Sequence, residues 1–310
     1  TNLAYPNVCA ITSLSLDHTS VLGSTIEAIA GEKAGIIKPG IPVVSAPQPA
    51  GANGVIRSRC SELDSPLTEV GTHISHRVMS RTSQGQSIEV RTKTGAYTLG
   101  MTMLGGYQVE NAAVTVGIIE ALRDSGFTVP DKALQEGFSS VSWPCRMEVL
   151  SREPMVVCDG AHNPYSVAQM LRTLPDYFDY DLLVLVVGMS EDKNLPGMVE
   201  ELAKGIWTEG SSANPGITDV VVTRSRHPRS VSCGKLAGLF DSYPCDVHEG
   251  ATVGDALRVA MDLAKGHAQA GRKPLVLATG SLFVAAEARE VLLDIEPELY
   301  PELDILDGAP

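Results

Sequence analysis

Residues 155–164 read Met155-Val156-Val157-Cys158-Asp159-Gly160-Ala161-His162-Asn163-Pro164. The apolar run at 155–158 predicts a short buried strand. Asn163 is a residue type favoured at a helix N-cap, and Pro164 is favoured at the first helical position. The segment therefore predicts a strand that passes through a tight polar turn into a helix, as in the repeating unit of a parallel α/β sheet.

The same pattern continues through the second half of the chain. Apolar runs that predict further strands lie at 182–187, 219–223 and 275–278, with a shorter candidate near Cys245. Helices are expected to begin near five residues, namely Asn163, Leu195, Ser232, Val253 and Ser281. This alternation is typical of a mainly parallel sheet covered by helices, which we expect over residues 152–310.

The first 142 residues predict a mixed α/β domain. Apolar runs at 8–16 and 41–46 predict strands, and residues 87–104 predict a β-hairpin. Residues 107–125 predict a helix that is closed by Gly126. The segment 143–151, which contains Trp143-Pro144-Cys145-Arg146, is expected to link this domain to the second one.

Composition limits the class of protein. A chain of 310 residues with 44% hydrophobic residues is long enough for two domains. No apolar run approaches the ~18 residues of a membrane span, and a net charge of −13 opposes binding to nucleic acid, so neither partner is expected. The six cysteines form no CxxC pair, which favours a cytoplasmic protein without structural zinc.

A histidine and a lysine near the start form the first candidate site. The run Leu16-Asp17-His18-Thr19-Ser20-Val21-Leu22-Gly23 places His18 at a predicted strand end, fifteen residues before Lys33. Ser24 and Glu27 have the spacing of a capping box, which predicts a helix that carries Lys33. Helical spacing then puts Lys33 on the inward face with three apolar residues, Ile26, Ile29 and Ala30.

This pair has a chemical and a structural interpretation. Imidazole ligates metals directly, whereas a lysine ligates only after losing its proton, which burial favours. Capture of carbon dioxide by Lys33 would then give a carbamate whose oxygens suit Mg²⁺. The structural alternative is that Asp17 and His18 cap a loop, while the lysine reaches solvent from its helix.

Asp159 and His162 form the second candidate site, in the turn after the strand at 155–158. Ligands of α/β sheets bind at the carboxyl ends of strands, and helix N-termini favour anions. Asp159 is suited to accept hydrogen bonds from ribose hydroxyls, and His162 is suited to meet a phosphate or a carboxylate. The alternative is a tight turn in which Asp159 only caps the helix, because Asp-Gly turns are common.

Arg146 in the expected linker is the third candidate. An arginine between domains can clamp a phosphate as the domains close, although a solvated surface arginine is the usual alternative. Two weaker polar clusters follow other predicted strands, namely Asp192-Lys193 after Gly188, and Thr279-Gly280-Ser281. The chain contains no Walker A sequence, complete GxGxxG fingerprint or GxSxG motif.

Together these segments resemble the folylpolyglutamate synthase and dihydrofolate synthase family of the Mur ligase superfamily. The blocks that carry the resemblance are 16–23 with 32–36, Tyr107-Gln108-Val109-Glu110-Asn111-Ala112, 143–146, 159–164, Gly188 with Asp192-Lys193, and 279–282. The resemblance implies an α/β fold in two parts. The C-terminal half of a P-loop-type ATPase domain, the Mur ligase central domain, precedes a Rossmann-like Mur ligase C-terminal domain with a mainly parallel sheet.

The resemblance also implies a function. Family members join L-glutamate to a folate or to dihydropteroate, using ATP and Mg²⁺ and forming ADP through an acyl phosphate. Catalytic roles are implied for His18, Lys33, Arg146 and His162. Contacts with ATP are implied for Asn111, Arg146 and Asp159, and Mg²⁺ binding for His18 and for Lys33 as its carbamate. The complete protein is expected to be a monomer.

Two departures from the family pattern affect these expectations. Cys145 stands where the family has glycine before the linker arginine, which restricts the backbone there. The family's P-loop and an acidic Mg²⁺ ligand precede the position of Thr1, so we expect the chain to be an incomplete and inactive piece with a poorly folded first domain. Residues 152–310 are expected to fold independently.

Two other functions remain open from the residues alone. A cell-wall ligase acting on a UDP-N-acetylmuramoyl peptide would share the histidine, the lysine and ADP formation. The segments Glu32-Lys33-Ala34-Gly35-Ile36 and Pro47-Gln48-Pro49 favour the folate branch. A noncatalytic nucleotide-binding or dehydrogenase-like module is the alternative of a different class. It would need a glycine fingerprint in the first strand-to-helix turn, which 159–164 does not supply.

Overall fold

The computed structural model describes residues 3–15, 25–206 and 216–297. The chain divides into two compact units, Thr1–Ser142 and Trp143–Pro310. Each unit buries its own clusters of apolar side chains. Among the helices of the described ranges, none is both long and apolar enough to cross a membrane.

The first unit contains a three-stranded parallel sheet in the order β1-β2-β3. Its strands are β1 (Cys9–Ile11), β2 (Val43–Ser45) and β3 (Leu67–Glu69). Helix α1 (Ile26–Ala34) connects the first two strands, and α2 (Ala50–Glu62) connects the second to the third. These βα connections are typical of parallel pairing.

A second sheet of the first unit is antiparallel, in the order β4-β5-β6. It consists of β4 (Ser75–Thr82), β5 (Gly85–Arg91) and β6 (Ala96–Met101), followed by α3 (Gly106–Asp124) and α4 (Asp131–Ser140). Helix α3 packs closely at Gly117. A Cβ atom there would lie 2.8 Å from Ile74 Cδ1 and 2.9 Å from Val44 Cγ1, so a larger residue would force these side chains apart.

The second unit has one six-stranded sheet in the order β11-β10-β9-β12-β8-β7. Its strands are β7 (Glu148–Arg152), β8 (Met155–Cys158), β9 (Leu182–Val187), β10 (Gly216–Thr223), β11 (Asp246–Gly250) and β12 (Pro274–Thr279). All pairings are parallel except that of the edge strand β7 with β8. The wholly buried strand β9 fits a sheet covered on both faces.

In the described part of the second unit, five helices accompany this sheet. They are α5 (Pro164–Tyr177), α6 (Leu195–Ala203), α7 (Cys233–Gly238), α8 (Val253–Gln269) and α9 (Leu282–Leu293). The predicted strand–helix alternation and mainly parallel sheet of the second half are therefore confirmed. The predicted hairpin and the helix at 107–125 are confirmed in the first unit.

Several sequence expectations need correction. Residues 148–151, expected in the linker, belong to β7, because Glu148 and Val149 pair with Cys158 and Val157. Helix α1 has Thr25 rather than Ser24 as its N-cap, since the Thr25 side chain accepts a hydrogen bond of 3.2 Å from the Ala28 N–H. Ser24 itself lies outside the described residues.

Besides β7, four further elements were not predicted, namely β3, β4, α2 and α4. Strand β4 is an edge strand with most side chains exposed, so it lacks the apolar alternation by which strands are recognised. Helix α2 contains Gly51 and Gly54, has no side-chain cap, and therefore gives a weak helical signal.

Candidate functional site

Asp159 lies at the carboxyl end of β8, where the chain turns into α5. Its backbone N–H donates a hydrogen bond of 3.0 Å to the Ala278 carbonyl on β12, which fixes the turn to the neighbouring strand. Only 3% of the residue is exposed. Its carboxylate accepts hydrogen bonds of 2.9 Å from the backbone N–H groups of Met147 and Ala161. One side chain thus holds both the β8–α5 turn and the segment before β7.

Burial raises the pKa of Asp159 to about 6. The two backbone hydrogen bonds and the nearby charges of Arg146 and His162 favour the ionised form and limit this rise. The carboxylate is therefore ionised at neutral pH, while remaining close to its titration range. An ionised, buried carboxylate at a strand end is suited to accept hydrogen bonds from hydroxyl groups of a ligand.

The N-terminus of α5 has the features of an anion-binding site. The Asn163 side chain accepts a hydrogen bond of 2.8 Å from the Ser166 N–H, and the Ser166 hydroxyl lies 3.1 Å from the Asn163 nitrogen, which completes a capping box. Pro164 is the first helical residue, as the sequence predicted. The positive end of the helix dipole therefore lies at the carboxyl edge of the sheet, next to the Asp159 turn.

His162 precedes this helix and is half-buried. Its Nδ1 lies 2.8 Å from the Gly160 carbonyl oxygen. Because a carbonyl oxygen only accepts hydrogen bonds, Nδ1 carries a proton, and we assign the neutral ring the tautomer in which Nε2 is an acceptor. The turn thus fixes the orientation of the imidazole, which is what a residue meeting a phosphate or carboxylate requires.

Arg146 is half-buried and belongs to the second unit. Its neighbours are fixed on both sides: the Cys145 carbonyl accepts a hydrogen bond of 2.8 Å from the Gly160 N–H, and the Met147 N–H donates to Asp159. The structure therefore brings together three of the predicted site residues, Arg146, Asp159 and His162, around the β8–α5 turn.

The segment carrying Arg146 has an unusual backbone. Cys145 and Met147 have φ angles of +60° and +48°, in the left-handed region that disfavours residues with a side chain. Glycine adopts this conformation at low cost, which explains physically why glycine suits position 145. Cys145 is accommodated because its N–H donates a hydrogen bond of 2.8 Å to the Glu148 carboxylate.

Glu148 is a site residue that the sequence analysis missed. It accepts from Cys145, and its Oε2 lies 2.7 Å from Arg289 Nε on α9. Glu148 thereby ties the Arg146 segment to a distant helix. The one available signal was a lone acidic residue between two apolar residues, Met147 and Val149, close to the arginine.

Two loops from β9 and β12 meet beside this turn. The Gly188 N–H donates a hydrogen bond of 3.3 Å to the Thr279 carbonyl. Gly280 has a φ of +93°, and a Cβ atom there would lie 2.6 Å from the Gly188 carbonyl oxygen. Only glycine fits this approach. The polar clusters at Asp192-Lys193 and 279–281 therefore lie at the same carboxyl edge as Asp159.

Asn111 belongs to the first unit, on the second turn of α3. Its side-chain amide donates a hydrogen bond of 3.2 Å to Gln108 Oε1. Asn111, Gln108 and Thr115 form the polar side of a cavity of about 370 Å³. The other side is apolar and includes Met101, Met103, Ile119, Leu134 and Phe138. A mainly apolar cavity with a few amide groups is typical of sites for flat organic rings.

The first predicted pair is only partly described. His18 lies outside the described residues. Lys33 lies in the last turn of α1 and is exposed, so the expectation that it projects inward is wrong. The buried residues of α1 are Ile29, Ala30 and Ala34, whereas Lys33 is exposed to solvent. Lys33 therefore lacks the burial that was expected to favour loss of its proton.

Comparison with known proteins identifies relatives of this chain. Residues 145–282 match the family described as Mur ligase, glutamate ligase domain. A probable bifunctional folylpolyglutamate synthase/dihydropteroate synthase of Haloferax volcanii is 33% identical over 296 residues, which are 93% of this chain and 32% of that protein. The dihydrofolate synthase/folylpolyglutamate synthase of Bacillus subtilis is 32% identical over 206 residues, covering 65% of this chain and 47% of that protein.

Solved structures are similar over nearly the whole chain. The structure of Mycobacterium tuberculosis folylpolyglutamate synthase complexed with ADP has a TM-score of 0.82 and 27% identity, covering 94% of this chain and 64% of that one. The chain thus spans between about a third and two thirds of the length of these relatives. It belongs to the folylpolyglutamate synthase and dihydrofolate synthase family of the Mur ligase superfamily, with a Mur ligase C-terminal domain from residue 145.

Proposed function

We propose that the protein to which this chain belongs joins L-glutamate to a folate or to dihydropteroate, with conversion of ATP to ADP and phosphate. The observation that carries the proposal is the arrangement of Arg146 and Asp159. Both lie at the β8–α5 turn, within the segment that matches glutamate ligases. A guanidinium is suited to bind phosphate, and the carboxyl ends of parallel strands are where ligands of such sheets bind, so this arrangement supports the proposal.

The proposed reaction has two steps. The acceptor carboxylate attacks the γ-phosphorus of ATP, which breaks the bond to ADP and forms an acyl phosphate. The amine of glutamate then attacks the acyl carbon, loses a proton and displaces phosphate, which leaves an amide. Negative charge accumulates on the transferred phosphoryl group, so the protein must supply fixed positive charge there.

Arg146 is proposed to supply part of this charge. Because the backbone on both sides of it is hydrogen-bonded to the β8–α5 turn, the guanidinium is held with little freedom of its main chain. A preorganised donor stabilises a developing charge without reorganising during the reaction. The N-terminus of α5 adds a second positive potential at the same edge.

Asp159 and His162 are proposed to bind and orient substrate groups. Each Asp159 oxygen accepts one backbone hydrogen bond, and each retains capacity to accept from a ribose hydroxyl. His162, with its ring orientation set by Gly160, is proposed to contact a phosphate or carboxylate oxygen when its free nitrogen is protonated.

Asn111 is proposed to contact ATP through the cavity beside α3. The amide groups of Asn111 and Gln108 provide donors and acceptors, and the apolar wall suits the faces of a heteroaromatic base. This role concerns the first unit by itself.

Mg²⁺ is implied by the family and would neutralise phosphate charge during phosphoryl transfer. Of its proposed ligands, His18 lies outside the described residues, and Lys33 carries an exposed ammonium. An ammonium cannot bind Mg²⁺, so Lys33 fits the role only as a carbamate, whose oxygens are suitable ligands. Its exposure leaves the amine accessible to carbon dioxide.

An assay of glutamate-dependent ADP release tests the proposed function. This chain and the full reading frame that encodes it are incubated in parallel with ATP, Mg²⁺ and L-glutamate, and with one acceptor at a time. The acceptors are tetrahydrofolate, dihydropteroate and a UDP-N-acetylmuramoyl peptide. We expect ADP release from the full reading frame only with a folate-type acceptor. Release only with the muramoyl substrate, or NAD binding without ligase activity, would contradict the proposal.

A further inference from the structure

The β8–α5 turn also brings together a cluster that contains two thiols and a carboxylate. Cys145, Glu148 and Cys158 each offer one ligand atom, and these three atoms lie within 4.8 Å of one another. Cys158 Sγ lies 3.9 Å from Glu148 Oε2, to which it donates a weak hydrogen bond. Cys145 and Cys158 are 4% and 0% exposed, so they form a local pair inside the second unit.

We infer that Cys145, Glu148 and Cys158 form a binding site for a thiophilic divalent cation of the Zn²⁺ class. This site is separate from the Mg²⁺ chemistry of the proposed ligase reaction. Thiolate sulfur selects Zn²⁺ over hard cations such as Mg²⁺, and a carboxylate oxygen completes many zinc sites. The sequence spacing gives no zinc signature, because the two cysteines come from different segments and meet only in the fold.

The distances fit a tetrahedral ion with small adjustments. Zn–S bonds of about 2.3 Å place two coordinated sulfurs about 3.8 Å apart, and a sulfur and an oxygen about 3.5 Å apart. The observed separation of 3.9 Å between Cys158 Sγ and Glu148 Oε2 is close to this requirement. Because all three ligand atoms lie within 4.8 Å of one another, side-chain movements of up to about 1 Å would bring them to these separations.

The charges also balance. Two thiolates and one carboxylate carry three negative charges, and Zn²⁺ with the Arg289 guanidinium carries three positive charges. Arg289 Nε lies 2.7 Å from Glu148 Oε2, so it would remain as an outer partner that orients the ligating carboxylate. A neutral cluster avoids the large cost of burying uncompensated charge.

Solvent can supply the fourth ligand. The side chains of Glu148 and Arg289 are 25% and 24% exposed, so the cluster is open on that side while the two thiols are enclosed. Three protein ligands with one water position are a common zinc arrangement. On binding, each protonated thiol loses its proton to the buffer as the metal–sulfur bond forms.

The position of the cluster gives the site a structural consequence. Cys145 directly precedes Arg146, and Cys158 directly precedes Asp159. A metal bound to both sulfurs would fasten the segment before β7 to the end of β8, in addition to the hydrogen bond from Met147 to Asp159. Bound Zn²⁺ would therefore stiffen the backbone that carries Arg146 and Asp159, two of the three proposed ATP contacts.

The test uses the 310-residue chain, reduced with a phosphine and freed of metal. Zn²⁺ is added in competition with a chromophoric chelator, and Co²⁺ is added separately as a spectroscopic probe. We expect one ion per chain and a sulfur-to-cobalt charge-transfer absorption in the near ultraviolet. In Cys158→Ser and Cys145→Gly we expect that absorption to weaken and Zn²⁺ affinity to fall at least about 100-fold. Loss of a residue that only supports a ligand lowers metal affinity by up to about 100-fold, and loss of a ligand itself should cost at least as much.

The variants are chosen so that folding and binding can be separated. Glycine at 145 suits the φ of +60°, so Cys145→Gly removes the thiol while keeping a favoured backbone. Cys233→Ser is the matched control, because Cys233 is a half-buried cysteine of the same unit outside the cluster. Zn²⁺ binding that is unchanged in Cys145→Gly, or lost in Cys233→Ser as well, would overturn the inference. A Cys145–Cys158 disulfide that persists under reduction and prevents binding would overturn it too.

Discussion

The buried carboxylate of Asp159 accepts a hydrogen bond of 2.9 Å from the backbone N–H of Met147. This contact joins the end of β8 to the segment that carries Arg146. Because Asp159 is the acceptor, a change in its charge alters both the strand-end turn and the support of the arginine. The protonation state of one residue is therefore coupled to the geometry of the candidate ATP site.

The first prediction concerns this protonation. Burial raises the pKa of Asp159 from 3.8 to about 6, so the folded state binds the proton more tightly than the unfolded state. Its contribution to stability is then largest below about pH 4 and is lost as the pH rises through 6. The free energy of unfolding of Asp159→Asn, relative to that of wild type, should therefore rise by about 2–3 kcal/mol between pH 4 and pH 7.5.

Urea unfolding followed by circular dichroism, in buffer with EDTA, measures this difference. Asp159→Asn also loses one hydrogen-bond acceptor, which changes stability at every pH. The test is therefore how the difference in unfolding free energy between variant and wild type changes with pH. Asp241→Asn removes an exposed carboxylate of the same unit and should show a flat difference. If the difference in unfolding free energy between Asp159→Asn and wild type did not change with pH, the raised pKa of the buried Asp159 carboxyl would be contradicted.

The second prediction concerns Gly280. Its φ of +93° and the 2.6 Å approach of a Cβ atom to the Gly188 carbonyl oxygen leave no room for alanine. Gly280→Ala should destabilise the second unit by about 1–3 kcal/mol, the usual cost of a strained backbone. Gly266→Ala is the matched control, since this mid-helix glycine of α8 has open space around it. It should stabilise by about 0.5–1 kcal/mol.

Thermal and urea unfolding of both glycine variants decide the point. Opposite signs for the two substitutions are expected. If Gly280→Ala were as stable as Gly266→Ala, the close approach of the β9 and β12 loops at the candidate site would be wrong.

The third prediction concerns Lys33. In the active full-length protein, Lys33→Ala should remove most ligase activity, because a carbamate at this position is proposed to hold Mg²⁺. Short carboxylic acids added to the assay should restore part of the rate by replacing the lost oxygens. Lys132→Ala changes another exposed lysine of the first unit and should leave the rate unchanged. Full activity of Lys33→Ala without added acid would refute the carbamate.

Much of the fold was predictable from local pattern. The strand at Met155–Cys158 and the helix starting with Asn163 and Pro164 were recognisable, because an apolar run, an N-cap and an N1 proline all act locally. The sequence predicts a linker at the edge strand β7, because the place of this strand in the sheet depends on pairing with β8, which no local pattern encodes.

The candidate site divides in the same way. Asp159 and His162 were predictable because they follow the recognisable strand at 155–158, and Arg146 was predicted as an arginine of the expected linker. Glu148 and its partner Arg289 were missed, because they are 141 positions apart and meet only through the packing of α9 against the edge of the sheet. The inward orientation predicted for Lys33 is wrong because helical spacing defines only the face on which a residue lies, and a long charged side chain can still be exposed to solvent.

The central claim is glutamate ligation supported by Arg146, and mass spectrometry of the product tests it most directly. The full reading frame is incubated with ATP, Mg²⁺, L-glutamate and a reduced folate or dihydropteroate. The account predicts that the acceptor gains one glutamate residue. It also predicts that kcat/KM of Arg146→Ala is lower than that of wild type by a factor of at least about 100. Arg152→Ala, an exposed arginine of β7, should match wild type. No glutamate addition to either acceptor, or equal rates in both arginine variants, would contradict the account.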